Sequence, residues 1–132
     1  MNKYNFLIVD DIYMNRFLLR SIISDISNCF IEAENGHQAI DAIKTNTIDI
    51  VLMDIEMPIM NGIETTQHIR TQLNYPLNKI PIIALTAHNP NDFLSRNQNL
   101  GFDKLLTKPY SRKKVVDTIN SCIELLKNKA TT

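Results

Sequence analysis

The sequence predicts an α/β domain: a parallel five-stranded sheet with helices on both faces. Three observations carry this. Short apolar runs recur at residues 5–9, 48–53 and 80–85, and they are too unbroken to be half-solvated strands. Between them lie longer segments with apolar residues near 3.6-residue spacing. Strand-like and helix-like stretches alternate from end to end, which calls for right-handed crossovers and therefore parallel strands.

The first run, 5–9, ends in Asp10-Asp11. A helical pattern follows, with Phe17, Leu18, Ile22 and Ile26 on the expected inner face and Asn15, Arg16 and Arg20 facing away. Cys29-Phe30-Ile31 is a weaker second strand. Asn35-Gly36 opens a helix that carries Ala39, Ile40 and Ile43. The third strand, 48–53, runs into Asp54, a loop with Pro58, and Asn61-Gly62. The next helix extends from Ile63 to about Leu73, with Ile63, Thr66 and Ile69 inward. Pro81 suits the start of the fourth strand, 80–85. Asn89-Pro90 is a helix opening, an N-cap followed by Pro in the first turn. That helix reaches about Leu100 and stops at Gly101. Lys104-Leu105-Leu106-Thr107 is the fifth strand. Ser111 can cap a last helix with Val115, Val116, Ile119, Cys122, Ile123 and Leu126 on one face. Five strands alternating with five helices in one domain, 1–132, predict a flavodoxin-like (βα)5 fold, doubly wound, in strand order 2-1-3-4-5.

Bulk properties narrow the function classes. The chain has 132 residues, 44% hydrophobic and 21% charged, as an ordinary globular domain does. Lys plus Arg equal Asp plus Glu at 14 each, which argues against direct nucleic-acid binding. The opening apolar run is too short for a signal-peptide core or a membrane span, so no membrane insertion and a cytoplasmic location are expected. Cys29 and Cys122 lack metal-ligand spacing and read as reduced core thiols. His37, His68 and His88 lie on different elements without ligand spacing; His37 and His68 read as surface residues, and His88 can border the cleft described next. Arg112, Lys113, Lys114, Lys127 and Lys129 read as a solvated or partner-docking face rather than a phosphate-backbone footprint.

In a parallel sheet the residues just after the strands share one edge, and open α/β sheets bind ligands there. Those residues are Asp10 and Asp11, Asp54, Thr86 and Lys108. Taken singly, each is an unremarkable turn residue. Together they place three carboxylates, a hydroxyl and an ammonium in one cleft. Carboxylates that close repel, and one would take a proton unless a cation intervened. Mg²⁺ prefers oxygen ligands and is commonly held by one or two carboxylates plus phosphate oxygens. Thr86 and Lys108 suit the remaining oxygens of a phosphoryl group, and an Asp carboxylate can be the nucleophile that takes it up.

With these residues in view, the chain resembles the receiver domains of two-component response regulators from Tyr4 to about Lys127. The resemblance rests on Val9-Asp10-Asp11, on Met53-Asp54-Ile55-Glu56-Met57-Pro58 with Asn61-Gly62, on Ala84-Leu85-Thr86-Ala87-His88 and on Lys108-Pro109. The wording is most similar to receivers of hybrid sensor histidine kinases. The resemblance implies that Asp54 is the phosphoacceptor and that Asp11 binds Mg²⁺ directly, with Asp10 acting directly or through water. It further implies that the Glu56 backbone carbonyl completes the metal shell and that Lys108 and Thr86 contact phosphoryl oxygens; the bond matching Lys108–Pro109 is often cis in such domains. The donor would be a histidine kinase or a histidine phosphotransfer protein. The domain would not be an enzyme beyond catalysing transfer to, and hydrolysis from, its own Asp54.

Two positions qualify the match. Receivers usually carry Tyr or Phe three residues before the lysine, and here that residue is Leu105, with Phe102 nearby but out of register. This puts the route from Thr86 to the surface in question and motivates an alternative, a docking module of the same fold that does not switch. The Glu56 side chain is expected near the phosphoryl group, where it could repel or orient an attacking water, or simply be solvated. Aspartate-nucleophile phosphatases use Asp-x-Asp after the first strand, whereas Asp10 and Asp11 are adjacent; and no Ser/Thr/Gly-rich loop follows that strand to hold a flavin phosphate. A stand-alone receiver and a receiver within a longer protein both remain open.

Overall fold

The computed structural model describes residues 3–87 and 100–130, with side chains through 125 in the last helix. Its elements are β1 (Tyr4–Val9), α1 (Tyr13–Ile23), β2 (Ser27–Ala33), α2 (Gly36–Thr45), β3 (Ile50–Asp54), α3 (Gly62–Gln72), β4 (Ile82–Thr86), β5 (Lys104–Thr107) and α4 (Arg112–Ala130). The strands form one parallel sheet in the order β2-β1-β3-β4-β5. This is the predicted flavodoxin-like topology, with four helices among the described residues. The helix expected from Asn89 to about Leu100, and His88, fall outside the described residues.

Strand alternation divides the core into two layers. Leu7, Val9, Val51, Met53 and Ile82 meet Ala39, Ile40 and Ile43 of α2 and Ile69 of α3 on one face. Phe6, Ile8, Ile50, Leu52, Ile83, Leu85 and Leu106 meet Leu19 and Ile23 of α1 and Val115, Ile119 and Cys122 of α4 on the other. Every residue of β3 and β4 is buried, as near-continuous apolar runs require.

Several boundaries and one helix face differ from the sequence reading. β3 and β4 each start two residues later, at Ile50 and Ile82, and end on Asp54 and Thr86 instead of before them. Asp49 is occupied as an acceptor: its Oδ2 takes the Asn5 backbone N–H at 2.7 Å. β2 is longer, Ser27–Ala33, and Cys29 on it is exposed, so only Cys122 is a core thiol. α1 ends at Ile23, and Ile26 is buried in a short 3₁₀ turn, Ser24–Ile26. The inner face of α1 is Arg16, Leu19 and Ile23. Phe17 and Leu18 are 49% and 52% exposed, while Arg16 is only 6% exposed. The expected polarity of this helix is therefore reversed at Arg16, because its guanidinium has partners inside.

Helix ends place the loops. The Asn35 side chain accepts from Gln38 N and caps α2. Asn61 accepts from Glu64 N while Glu64 accepts from Asn61 N, a reciprocal cap on α3. Ser111 Oγ accepts from Lys114 N at 3.2 Å, as expected for the last helix.

Candidate functional site: an acidic cleft at the carboxyl ends of the strands

The strand order brings the ends of β1, β3, β4 and β5 side by side. Asp10 follows β1, and its backbone N–H is held by Ala33 O at 3.1 Å. Asp54 closes β3 and is 3% exposed. Thr86 closes β4 and is buried; its carbonyl accepts from Lys108 N at 2.7 Å, which ties the end of β4 to the residue after β5.

Carboxylate oxygens of Asp10, Asp11 and Asp54 lie within 4.8 Å of one another, with Asp10 and Asp54 buried and Asp11 exposed. Lys108 Nζ is 3.1 Å from Asp54 Oδ1. Burial pushes the Asp54 carboxyl above its ordinary range and the Asp10 charge adds to this, while the Lys108 ammonium and the Glu56 backbone N–H pull it back. The net direction is upward. Lys108 thus offsets only part of what burial and the Asp10 charge impose on Asp54. One oxygen of Asp10, Oδ2, is buried and has no hydrogen-bond partner, whereas Oδ1 accepts from Ile12 N at 2.9 Å. A buried carboxylate oxygen left open beside two further carboxylates fits a hard cation with oxygen ligands.

The loop after Asp54 is packed tightly onto it. Gly62 N donates to Ile55 O at 3.0 Å, and a Cβ at Gly62 would collide with the Asp54 carbonyl and come within 2.8 Å of Ile55 Cα. A glycine is required there for the close approach. The Glu56 side chain is exposed. The Lys108–Pro109 bond is cis, and so is Tyr75–Pro76, which the sequence reading did not anticipate.

All six residues expected at the site, Asp10, Asp11, Asp54, Glu56, Thr86 and Lys108, lie at this edge of the sheet. Leu105 is half-buried on β5 and packs with Phe102 on a small cluster of Ile55 and Ala84. His37 is exposed and His68 partly so. Two neighbours of the cleft escaped the sequence reading. One is Tyr110, whose phenol is pushed up to about 12 by burial and by the Asp10 and Asp54 charges. The other is Arg16, whose Nη1 donates to Asp10 O at 2.6 Å. The available signal for Arg16 was Glu32, an acid set among the apolar residues of the second half of β2.

The chain matches the family model of the response regulator receiver domain over residues 6–120. It belongs to the response regulator receiver domain family. Among its relatives, the chemotaxis protein CheY of Halobacterium salinarum is 34% identical over 117 residues, covering 89% of this chain and 94% of that protein. The sensor histidine kinase GacS of Pseudomonas protegens is 33% identical over 114 residues, covering 86% of this chain and 12% of the kinase. The chain spans about an eighth of the length of such kinases (12% and 13% for two GacS proteins). Among solved structures, the receiver domain of a Pseudomonas aeruginosa sensor histidine kinase, with a magnesium ion coordinated in its active site cleft, has a TM-score of 0.80 at 24% identity, covering 92% of this chain and 98% of that one. Vibrio cholerae CheY4 has a TM-score of 0.81 at 23% identity, covering 92% and 99%. The last two likenesses bear on the fold.

Proposed function

We propose that this receiver accepts a phosphoryl group on Asp54 from the phosphohistidine of a histidine kinase or histidine phosphotransfer protein, and that the acylphosphate switches its protein contacts. The observation that carries this reading is the convergence of Asp10, Asp11 and Asp54 within 4.8 Å, with Lys108 on the same Asp54. An Asp54 carboxylate oxygen forms the new bond to phosphorus as the bond from phosphorus to the imidazole nitrogen breaks; the imidazole leaves with the electron pair. Mg²⁺, held by Asp10, Asp11, Asp54 and the Glu56 carbonyl, would supply positive charge against the phosphoryl oxygens. Lys108 is placed to exchange its contact with the Asp54 carboxylate for one with a phosphoryl oxygen, and Thr86 offers a hydroxyl at the neighbouring strand end. The same groups serve hydrolysis, so the domain acts on its own aspartate and not on an outside substrate. That donor chemistry fits a cytoplasmic setting; among the described residues no helix is long and apolar enough to cross a membrane.

Asp54 is nearly inaccessible, so a protein donor must cover the mouth of the cleft. Exposed apolar residues follow the site carboxylates in the chain, Ile12 and Tyr13 just after Asp11 and Ile59 in the loop after Asp54. For output, the contact on offer is the half-buried Leu105, which packs against Ile55, the residue after Asp54, and Ala84, two residues before Thr86.

Amide spectra with and without beryllofluoride and Mg²⁺ test this reading, since the fluoride complex stands in for a phosphoryl group on a carboxylate. The expected result is shifts at Asp54, Thr86 and Lys108 that continue to Leu105 and Phe102. Shifts confined to the cleft would overturn the switching role. No shifts at all would overturn the acceptor role.

A further inference from the structure

Arg16 is buried on the inner face of α1, and neither a core packing role nor the phosphoryl chemistry above requires it. Its guanidinium faces two ways. Nη1 donates to the Asp10 carbonyl at 2.6 Å, and Nε donates to Glu32 Oε1 at 3.0 Å. Glu34 lies 3.9 Å from Nη2 on the same side. The charge of Arg16 is thus matched by acids of β2 and of the turn after it, and does not compete with a cation for the Asp10 carboxylate.

The Asp10 carbonyl belongs to the planar peptide unit that joins Asp10 to Asp11. Anchoring that oxygen restrains the plane, and with it the N–Cα bond of Asp11 on which its side chain is carried. Asp10 is then held at three points: its N–H by Ala33 O, its Oδ1 by Ile12 N and its carbonyl by Arg16. Only Oδ2 stays open, beside Asp11 and Asp54.

We infer that Arg16 is a positioning residue for the cation site: its bond to the Asp10 carbonyl holds the Asp10–Asp11 turn in the geometry that binds the metal. Arg20 provides the comparison within the fold. It shares Glu32, through Nη1 to Oε2 at 3.0 Å, and stacks over Phe30, without a bond to Asp10. The inference rests on the acidic cluster being the Mg²⁺ site.

The test is calorimetric titration of the full chain with Mg²⁺ alone, with no phosphodonor, for wild type, Arg16→Lys, Arg16→Met and Arg20→Met. Thermal melts set a temperature at which each is folded. Arg16→Lys keeps a cation in the pocket, and so keeps the fold, but loses the two-pronged arrangement. Both Arg16 variants are expected to weaken Mg²⁺ binding at least about tenfold, the size typical of residues that hold metal ligands in place. Arg20→Met loses an ion pair to the same Glu32 and should stay within about twofold of wild type, since it does not touch the ligand turn. The Ile12 amide signal, which reports the Asp10 Oδ1 bond, should move in the Arg16 variants and not in Arg20→Met. Wild-type affinity in a folded Arg16→Lys would overturn the inference while leaving the metal site intact, as would equal weakening in Arg20→Met. Absence of Mg²⁺ binding by the wild type would overturn the metal site and this inference with it.

Discussion

Lys108 Nζ sits 3.1 Å from Asp54 Oδ1, and this contact spans two strand ends separated by 54 positions in the chain. It is an ion pair with one nearly buried partner, so its ammonium is only partly hydrated and acts at close range. On the proposed reading, that ammonium would meet the charge gathering on the phosphoryl oxygens. Replacing it by an uncharged side chain of similar length should slow phosphoryl uptake about 100-fold or more, the cost of one lost oxyanion donor. Initial rates of mass gain for Lys108→Met with acetyl phosphate and Mg²⁺ check this, with circular dichroism to confirm the fold. A rate near that of wild type would remove Lys108 from the mechanism.

Ile59 has φ of 73° and is 82% exposed. A β-branched residue in the left-handed region is strained, and here an apolar side chain is also left in water. Ile59→Asn should raise stability by about 1 kcal/mol, since Asn tolerates that conformation. Urea denaturation reads the change as a higher midpoint at constant slope. A lower midpoint would mean that the Ile59 side chain supports the fold. If the donor rests on Ile59, the same variant should slow transfer from a phosphohistidine protein while leaving uptake from acetyl phosphate unchanged.

The Tyr110 phenol is pushed up to about 12 from an ordinary value of 10.0, first by burial and then by the Asp10 and Asp54 charges. Its neutral form is therefore favoured in the folded state. A raised pKa means the associated stability is complete below pH 10.0 and is lost as pH rises from there through about 12. Phenolate absorbance should show one of the four tyrosines titrating late, and Tyr110→Phe should remove that component. Unchanged late titration in the variant would assign it elsewhere.

Much of the fold was legible because strand-like and helix-like patterns alternate along the sequence. Short unbroken runs such as Ile50 to Met53, bounded by turn residues, read as strands covered on both faces. The strand order then followed from size, and the cleft from reading one residue past each strand. The face of α1 was not legible. Phe17, Leu18, Leu19, Ile22 and Ile23 put apolar residues on both sides of that helix, so periodicity alone does not choose between them. The choice is made by Arg16, whose partners are Asp10 O and Glu32, the latter on another strand and visible only once the chain is folded. Strand starts were missed for a related reason. Ile48 and Ile80 extend the apolar runs, yet Asp49 is engaged by Asn5, and Pro81 supplies its carbonyl to Val51 from outside β4. Asp10, Asp11, Asp54, Thr86 and Lys108 came from chain position and chemistry together, and Glu56 only from the family resemblance; the burial that separates Asp10 and Asp54 from exposed Asp11 came only from the structure.

The proposed function requires Asp54 to take up a phosphoryl group in a Mg²⁺-dependent reaction. Intact mass after incubation with acetyl phosphate tests it most directly, for wild type and Asp54→Ala, with Mg²⁺ or with a chelator. The expected result is a gain of one phosphoryl mass in the wild type with Mg²⁺, little with the chelator, and none in Asp54→Ala. An equal gain in Asp54→Ala, or no gain in the wild type, would contradict it.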